Sequence, residues 1–218
     1  MNRKYGRKPP AAGGKLAFLS APVAGALLLV ACTGSPQPAI TGTNPSAQAS
    51  ITVPSTFATL SYSPTDKTLY LTDGRGLTRL RDGAWTRMAV PSAANLVAAV
   101  VNPNAPATLY VADAKAGVLR SDDGGGSWKP VNTGLPQAFE ITALAIHSFE
   151  RHTLYTWLKG DGIYKTEDGD VSWKRVPDQG PPDKDVRALA HSTLPGSMNT
   201  GWLYASTPTG VYLSMDCF

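Results

Sequence analysis

The sequence predicts an all-β protein built from repeated four-stranded units, and three observations predict it. The dipeptide Leu-Tyr returns four times, at Leu69-Tyr70, Leu109-Tyr110, Leu154-Tyr155 and Leu203-Tyr204, with the tyrosines 40, 45 and 49 residues apart. The same set of short apolar pieces surrounds each anchor. The 21 glycines and 18 prolines fall mostly between those pieces, so no segment after residue 55 needs a helix. A repeat of this length is one propeller blade. The expected fold is therefore a β-propeller-like array of about four four-stranded blades over residues 56–218.

Each unit reads in the same order. An alternating apolar strand comes first, at Phe57 to Leu60, Leu96 to Val101, Ile141 to Ile146 and Val186 to Ala190. Alternation with period two is what a strand with two differently packed faces needs. A turn rich in Pro, Asn, Ser or Asp leads into the Leu-Tyr strand. A glycine then opens a third strand, at Gly76, Gly117, Gly162 and Gly210. A tight acidic turn follows, and Trp85, Trp128 or Trp173 opens a fourth strand.

Two of those turns carry a family resemblance. Ser121-Asp122-Asp123-Gly124-Gly125-Gly126-Ser127-Trp128 matches Ser/Thr-x-Asp-x-Gly-x-Ser/Thr-Trp at every fixed position. Thr166-Glu167-Asp168-Gly169-Asp170-Val171-Ser172-Trp173 matches it except that Asp170 stands in the glycine's place. The first unit keeps only Asp82-Gly83 and Trp85, and the fourth stops after Ser214-Met215-Asp216. These octads resemble the Asp-box, or BNR repeat. The chemistry suits a tight turn: Asp123 or Asp168 accepts from following amides, Gly125 supplies positive φ, and Ser121, Ser127, Thr166 or Ser172 caps the loop. Trp128 and Trp173 are expected to pack between neighbouring blades. The resemblance covers residues 56 to 218. It implies a structural role for the boxes, which in sialidases, xyloglucan-degrading enzymes, sortilin-type receptors and a family assisting photosystem II assembly sit away from the channel where ligands bind.

The first 31 residues are laid out differently. Arg3, Lys4, Arg7, Lys8 and Lys15 precede an apolar stretch from Leu16 to Ala31, the layout of an export signal. Pro22 and Gly25 interrupt that stretch, which is short for a membrane span. Its ending, Leu29-Val30-Ala31-Cys32, resembles the bacterial lipobox. The resemblance implies a diacylglycerol on Cys32, which becomes the first mature residue and ties the protein to a membrane outside the cytoplasm. Thr33 follows where an aspartate would signal inner-membrane retention in Gram-negative hosts, so the outer membrane or cell surface is favoured. From Thr33 to Ser55 there is no charge and no aromatic ring, a composition that cannot offset its ordering entropy. Residues 32–55 are expected to form a disordered tether reaching roughly 25–30 Å. With Cys32 lipidated, Cys217 has no partner and no internal disulfide is expected.

The net charge of +4 belongs to the leader. From Cys32 onward 15 basic side chains face 16 acidic ones, a balance of −1, which argues against a nucleic-acid partner. His147, His152 and His191 have no ligand spacing, and Asp161 to Asp170 lacks the alternating ligands of a calcium loop. No metal or other cofactor is expected. The sialidase-type reading requires three converging arginines and a tyrosine paired with a glutamate. No arginine here lies in that family's Arg-Ile-Pro context, and the glutamates are Glu140, Glu150 and Glu167. Asp66, Asp73, Asp113 and Asp161 read as hairpin-turn residues. The expected function is a membrane-anchored module binding a protein or glycan, with no catalytic residue assigned; an exo-acting glycoside hydrolase of the sialidase type is the alternative.

Relatives in this fold class close six to eight blades, which at about 45 residues each takes roughly 270, and about 163 residues are available here. The expectation is an incomplete array whose fourth unit lacks its box and outer strand. A small four-bladed ring closed by Ile51-Thr52-Val53 is the other reading.

Overall fold

Fifteen strands and no helix make up the residues described by the computed structural model, which are 59–91, 95–150, 152–169, 172–177, 180–192 and 201–214. They form four antiparallel meanders. Blade 1 comprises β1 (Thr59–Ser63), β2 (Thr68–Thr72), β3 (Leu77–Arg81) and β4 (Ala84–Met88). Blade 2 comprises β5 (Leu96–Val101), β6 (Leu109–Asp113), β7 (Gly117–Ser121) and β8 (Lys129–Pro130). Blade 3 comprises β9 (Ile141–Ile146), β10 (Leu154–Leu158), β11 (Gly162–Thr166) and β12 (Lys174–Arg175). Blade 4 has three described strands, β13 (Ala188–His191), β14 (Leu203–Thr207) and β15 (Gly210–Ser214). The chain is an all-β propeller array of four blades.

The Leu-Tyr anchors fall where the repeat puts them, in the second strand of every blade. Each tyrosine pairs with the same position of the first strand: Tyr70 with Ser61, Tyr110 with Val100, Tyr155 with Ala145 and Tyr204 with Ala190. The outer strands differ from expectation. Trp85 lies inside a five-residue β4, but Trp128 and Trp173 stand just before outer strands of two residues. Both indoles leave their own sheet for the preceding blade. Trp128 Nε1 donates to the Ala89 carbonyl at 3.0 Å and Trp173 Nε1 to the Val131 carbonyl at 2.6 Å. Pro130 also has no amide to continue the ladder.

The core lies between blades rather than within them. One cluster joins Tyr70 and Leu77 of blade 1 to Leu96, Ala99, Val101 and Leu109 of blade 2. A second joins Tyr110, Ala112 and Val118 of blade 2 to Ile141, Leu144, Leu154 and Trp173 of blade 3. A third joins Ala143, Ala145, Tyr155, Trp157 and Ile163 of blade 3 to Val186, Leu189, Leu203 and Ala205 of blade 4. A fully buried side chain of this size contributes about 1.5–3 kcal/mol, so each blade depends on its neighbours for stability. Cys32, Cys217, the tether, Ile51 to Val53 and Asp170 lie outside the described residues, as do the boundaries proposed at 31 and 55.

Candidate functional site

Four blades meet at one axial end around an open depression of about 450 Å³. Its lining comes from the turns after second strands and the starts of first strands: Asp73 and Gly74, Asn95 to Val97, Ala114, Glu140 to Thr142, and Asp185 to Arg187. Backbone and side-chain bonds stitch these turns across blade boundaries. Leu96 N donates to the Gly74 carbonyl at 3.2 Å and Ile141 N to the Ala114 carbonyl at 3.0 Å. Thr142 Oγ1 donates to the Val186 carbonyl at 2.6 Å. The floor of the site is thus fixed by the blade packing itself.

Charge lines the mouth in pairs. Asp73 follows β2 directly and receives Arg87 from β4, with Nη1 to Oδ2 at 2.8 Å and Nη2 to Oδ1 at 3.2 Å. That guanidinium holds the Asp73 carboxyl below the usual carboxylate range. Glu140 bridges Lys115 at 2.9 Å and Lys159 at 3.0 Å, and these hydrogen bonds lower its pKa in the same way. Asp185 pairs with Arg187 at 2.9 Å. Asp113 is buried and spends its carboxylate on backbone: Oδ1 accepts from Lys115 N and Ala116 N at 2.9 Å each, and Oδ2 from Asn95 N at 2.8 Å. It is a turn former. Asp161 accepts from Arg175 Nε at 3.0 Å and from the Tyr164 hydroxyl at 2.7 Å.

Every described carboxyl with a resolved shift (Asp66, Asp73, Asp123, Glu140, Glu167, Asp183) is shifted downward. A glycosidase acid needs a carboxyl held up, still protonated near neutral pH. The mouth as built offers ionised acceptors and ammonium or guanidinium donors. Among the described residues no three His, Cys, Asp or Glu side chains gather as a metal ion would need.

The two octads lie at the opposite strand ends from this mouth, because β7 and β11 run away from it. In the first, Ser121 Oγ donates to Asp123 Oδ1 at 2.8 Å and accepts from Gly125 N at 2.8 Å. Asp123 then accepts from Ser127 N at 2.9 Å and Ser127 Oγ at 2.7 Å. These bonds, the Ser127 hydroxyl's first, hold its carboxyl far below the ordinary value. Gly125 has φ of 92°, and a side chain there would run into the Met88 methyl of blade 1. In the second octad Thr166 Oγ1 donates to Asp168 Oδ1 at 2.6 Å, while Ser172 N and Oγ reach Asp168 at 3.1 and 3.3 Å. Trp173 is buried and Trp128 half-buried, each against the preceding blade.

Sequence reasoning missed the mouth. Lys115, Lys159, Arg87 and Arg187 belong to no motif, and Lys115 reaches Glu140 only because blade 2 packs against blade 3. It also missed a ring stack across blades 3 and 4. His147 and His191 lie 3.9 Å apart, with Tyr155 parallel to His191 at 6.2 Å. His147 Nδ1 accepts from Phe149 N and Glu150 N, and Ser148 N donates to His191 Nδ1. Burial lowers both imidazole pKa values, that of His191 to about 4.

No family model and no curated protein matches the chain. Solved propeller structures do. It resembles YCF48 from Cyanidioschyzon merolae with a TM-score of 0.56 at 14% identity, over 73% of this chain and 50% of that one. A structure described as YCF48 bound to D1 peptide gives 0.54 at 13%, over 72% and 50%. The GH74 xyloglucanase from Xanthomonas campestris gives 0.51 at 20%, over 72% and 30%. At these identities the likeness is one of fold. The chain spans half the length of the YCF48 structures and less than a third of the xyloglucanase.

Proposed function

We propose that this protein is a lipid-anchored, extracytoplasmic propeller module that binds a polypeptide segment at the four-blade mouth without cleaving it. The observation carrying the reading is the engagement of the mouth's carboxylates by cations, which suits charge recognition and holds the Asp73 and Glu140 carboxyls down, the opposite of what a proton donor needs. Charges of both signs around one depression favour a ligand with ionic groups of its own. The peptide complex of YCF48 supports the reading as a precedent for the fold. The anchor rests on the lipobox ending at Cys32 and the uncharged tether after it. Glycan binding and exo-acting hydrolysis are the competing outcomes.

The test uses the lipidated chain in nanodiscs. A displayed random-peptide library is selected on it and counter-selected on an Asp73→Lys, Glu140→Lys variant. Enriched peptides are expected to bind the variant about tenfold more weakly or worse, a loss of about 1.4 kcal/mol. Equal enrichment on both proteins overturns the mouth as the site. Steady turnover of fluorogenic sialosides or xyloglucan oligosaccharides, abolished by changing a mouth carboxylate, overturns the binding reading.

A further inference from the structure

Blades 2 and 3 each have a forward face, covered by the next blade, and a backward face, resting on the previous one. In blade 3 the forward face is Ala143, Ala145, Tyr155, Trp157 and Ile163, each no more than 3% exposed beneath blade 4. Strand register puts Ala188, Ala190, Tyr204, Ser206 and Val211 at the same positions of blade 4. There the two alanines are exposed and Val211 is 70% exposed, with Leu213 beside it at 48%.

Blade 1 has the converse. Its Leu60 and Tyr62 hold the places of Ala99 and Val101 in blade 2, which are buried on blade 1, and of Leu144 and Ile146 in blade 3, which pack on blade 2. Leu60 is 55% and Tyr62 56% exposed. Thr59 and Ser61 of the same strand point the other way, accepting hydrogen bonds from Ala99 N and Val101 N of blade 2.

We propose that these two faces are halves of one interface, in which blade 4 of one copy of this chain seats on blade 1 of a second copy, head to tail. The contact continues an interface the chain makes three times within itself, in the same register. Shape agrees: where Ala143 and Ala145 receive Leu189 inside the chain, Ala188 and Ala190 leave matching room for Leu60 and Tyr62. Small residues facing large ones are how such layers interdigitate. The contact is heterologous, joining different patches of two identical chains, so two copies form a closed pair if the rotation permits and longer assemblies otherwise.

Disulfide trapping on the full-length, membrane-anchored protein tests it. Two differently tagged chains, both carrying Cys217→Ser, receive Tyr62→Cys or Val211→Cys and are mixed and oxidised, and linked peptides are identified by mass spectrometry. Both positions are surface sites, so folding should survive. The expected result is a 62-to-211 linkage at least about five times more abundant than 62-to-62 or 211-to-211, because only unlike faces meet. Equal amounts of like and unlike linkages overturn the proposal. So does a cysteine-intact chain that sediments as one copy per nanodisc or micelle at about 50 μM, where a micromolar contact would be occupied; the faces then belong to another partner or to further blades.

Discussion

Blades 3 and 4 are the same repeat under different cover. Ala143 and Ala145 pair with Trp157 and Tyr155 and are buried, while Ala188 and Ala190 pair with Ser206 and Tyr204 and are exposed. The two alanines, the tyrosine and the strand register are shared; the neighbour is not. In an array of this kind a blade's stability is partly its neighbour's property, so the same substitution should have unequal effects in the two blades.

The largest expected effect is at the tightest seam. Trp173→Ala removes a buried ring and strands the Val131 carbonyl it serves, and should destabilise the fold by about 3–5 kcal/mol in urea melts. Ile163→Ala and Val211→Ala sharpen the comparison directly. The first empties a core site 1% exposed and should cost about 2–5 kcal/mol. The second trims a surface side chain and should change stability by less than about 0.5 kcal/mol at concentrations where the chain is monomeric. Equal losses would mean that blade 4 is as well covered as blade 3.

Hydrogen exchange reads the same contrast without substitution. Amides around Tyr204 and Tyr212 should exchange faster than those around Tyr110 and Tyr155, because local opening costs less where one face is bare. Comparable protection in both would remove the basis for unequal blades.

Acid should loosen the blade 3 to blade 4 seam selectively. Burial, then the neighbouring His147, holds His191 near pKa 4, against about 6.5 unfolded. The folded state therefore favours the neutral ring. Its contribution is complete above about pH 6.5 and is lost as the pH falls through 4, since the unfolded chain takes up the proton first. His191→Gln should flatten that part of the stability profile. A smaller loss than at Trp173 is expected at Asp123→Asn, where the turn keeps most of its acceptors and any ligand binding should be unchanged. A urea midpoint shift as large as that of Trp173→Ala would mean the carboxylate charge itself holds the turn.

Much of the fold was legible because the repeat signals are local. The glycines opening β7, β11 and β15 and the leucines opening β6, β10 and β14 mark strand starts to the residue. Strand ends were less so. β1 runs to Ser63 rather than stopping at Leu60, and β13 starts at Ala188 rather than Val186; the Val186 carbonyl is taken by Thr142 Oγ1 of blade 3 instead. The mouth was illegible for a different reason. Glu140 meets both Lys115 and Lys159 only once the turns after β6 and β10, four strands apart in sequence, are brought side by side. The histidine stack escaped because His147 and His191 were weighed as metal ligands by spacing, whereas a seam between sheets unites them.

The tryptophans that cross from one blade to the one before it also set an order in time. Ala89 waits for Trp128, 39 residues downstream, and Val131 waits for Trp173, 42 residues downstream. A chain emerging from its amino end can align the strands of a blade early, but cannot close that blade's outer corner until most of the next has appeared. Assembly is therefore paced like a zip, each tooth locked by its successor, and as the chain emerges the newest blade is always the vulnerable one.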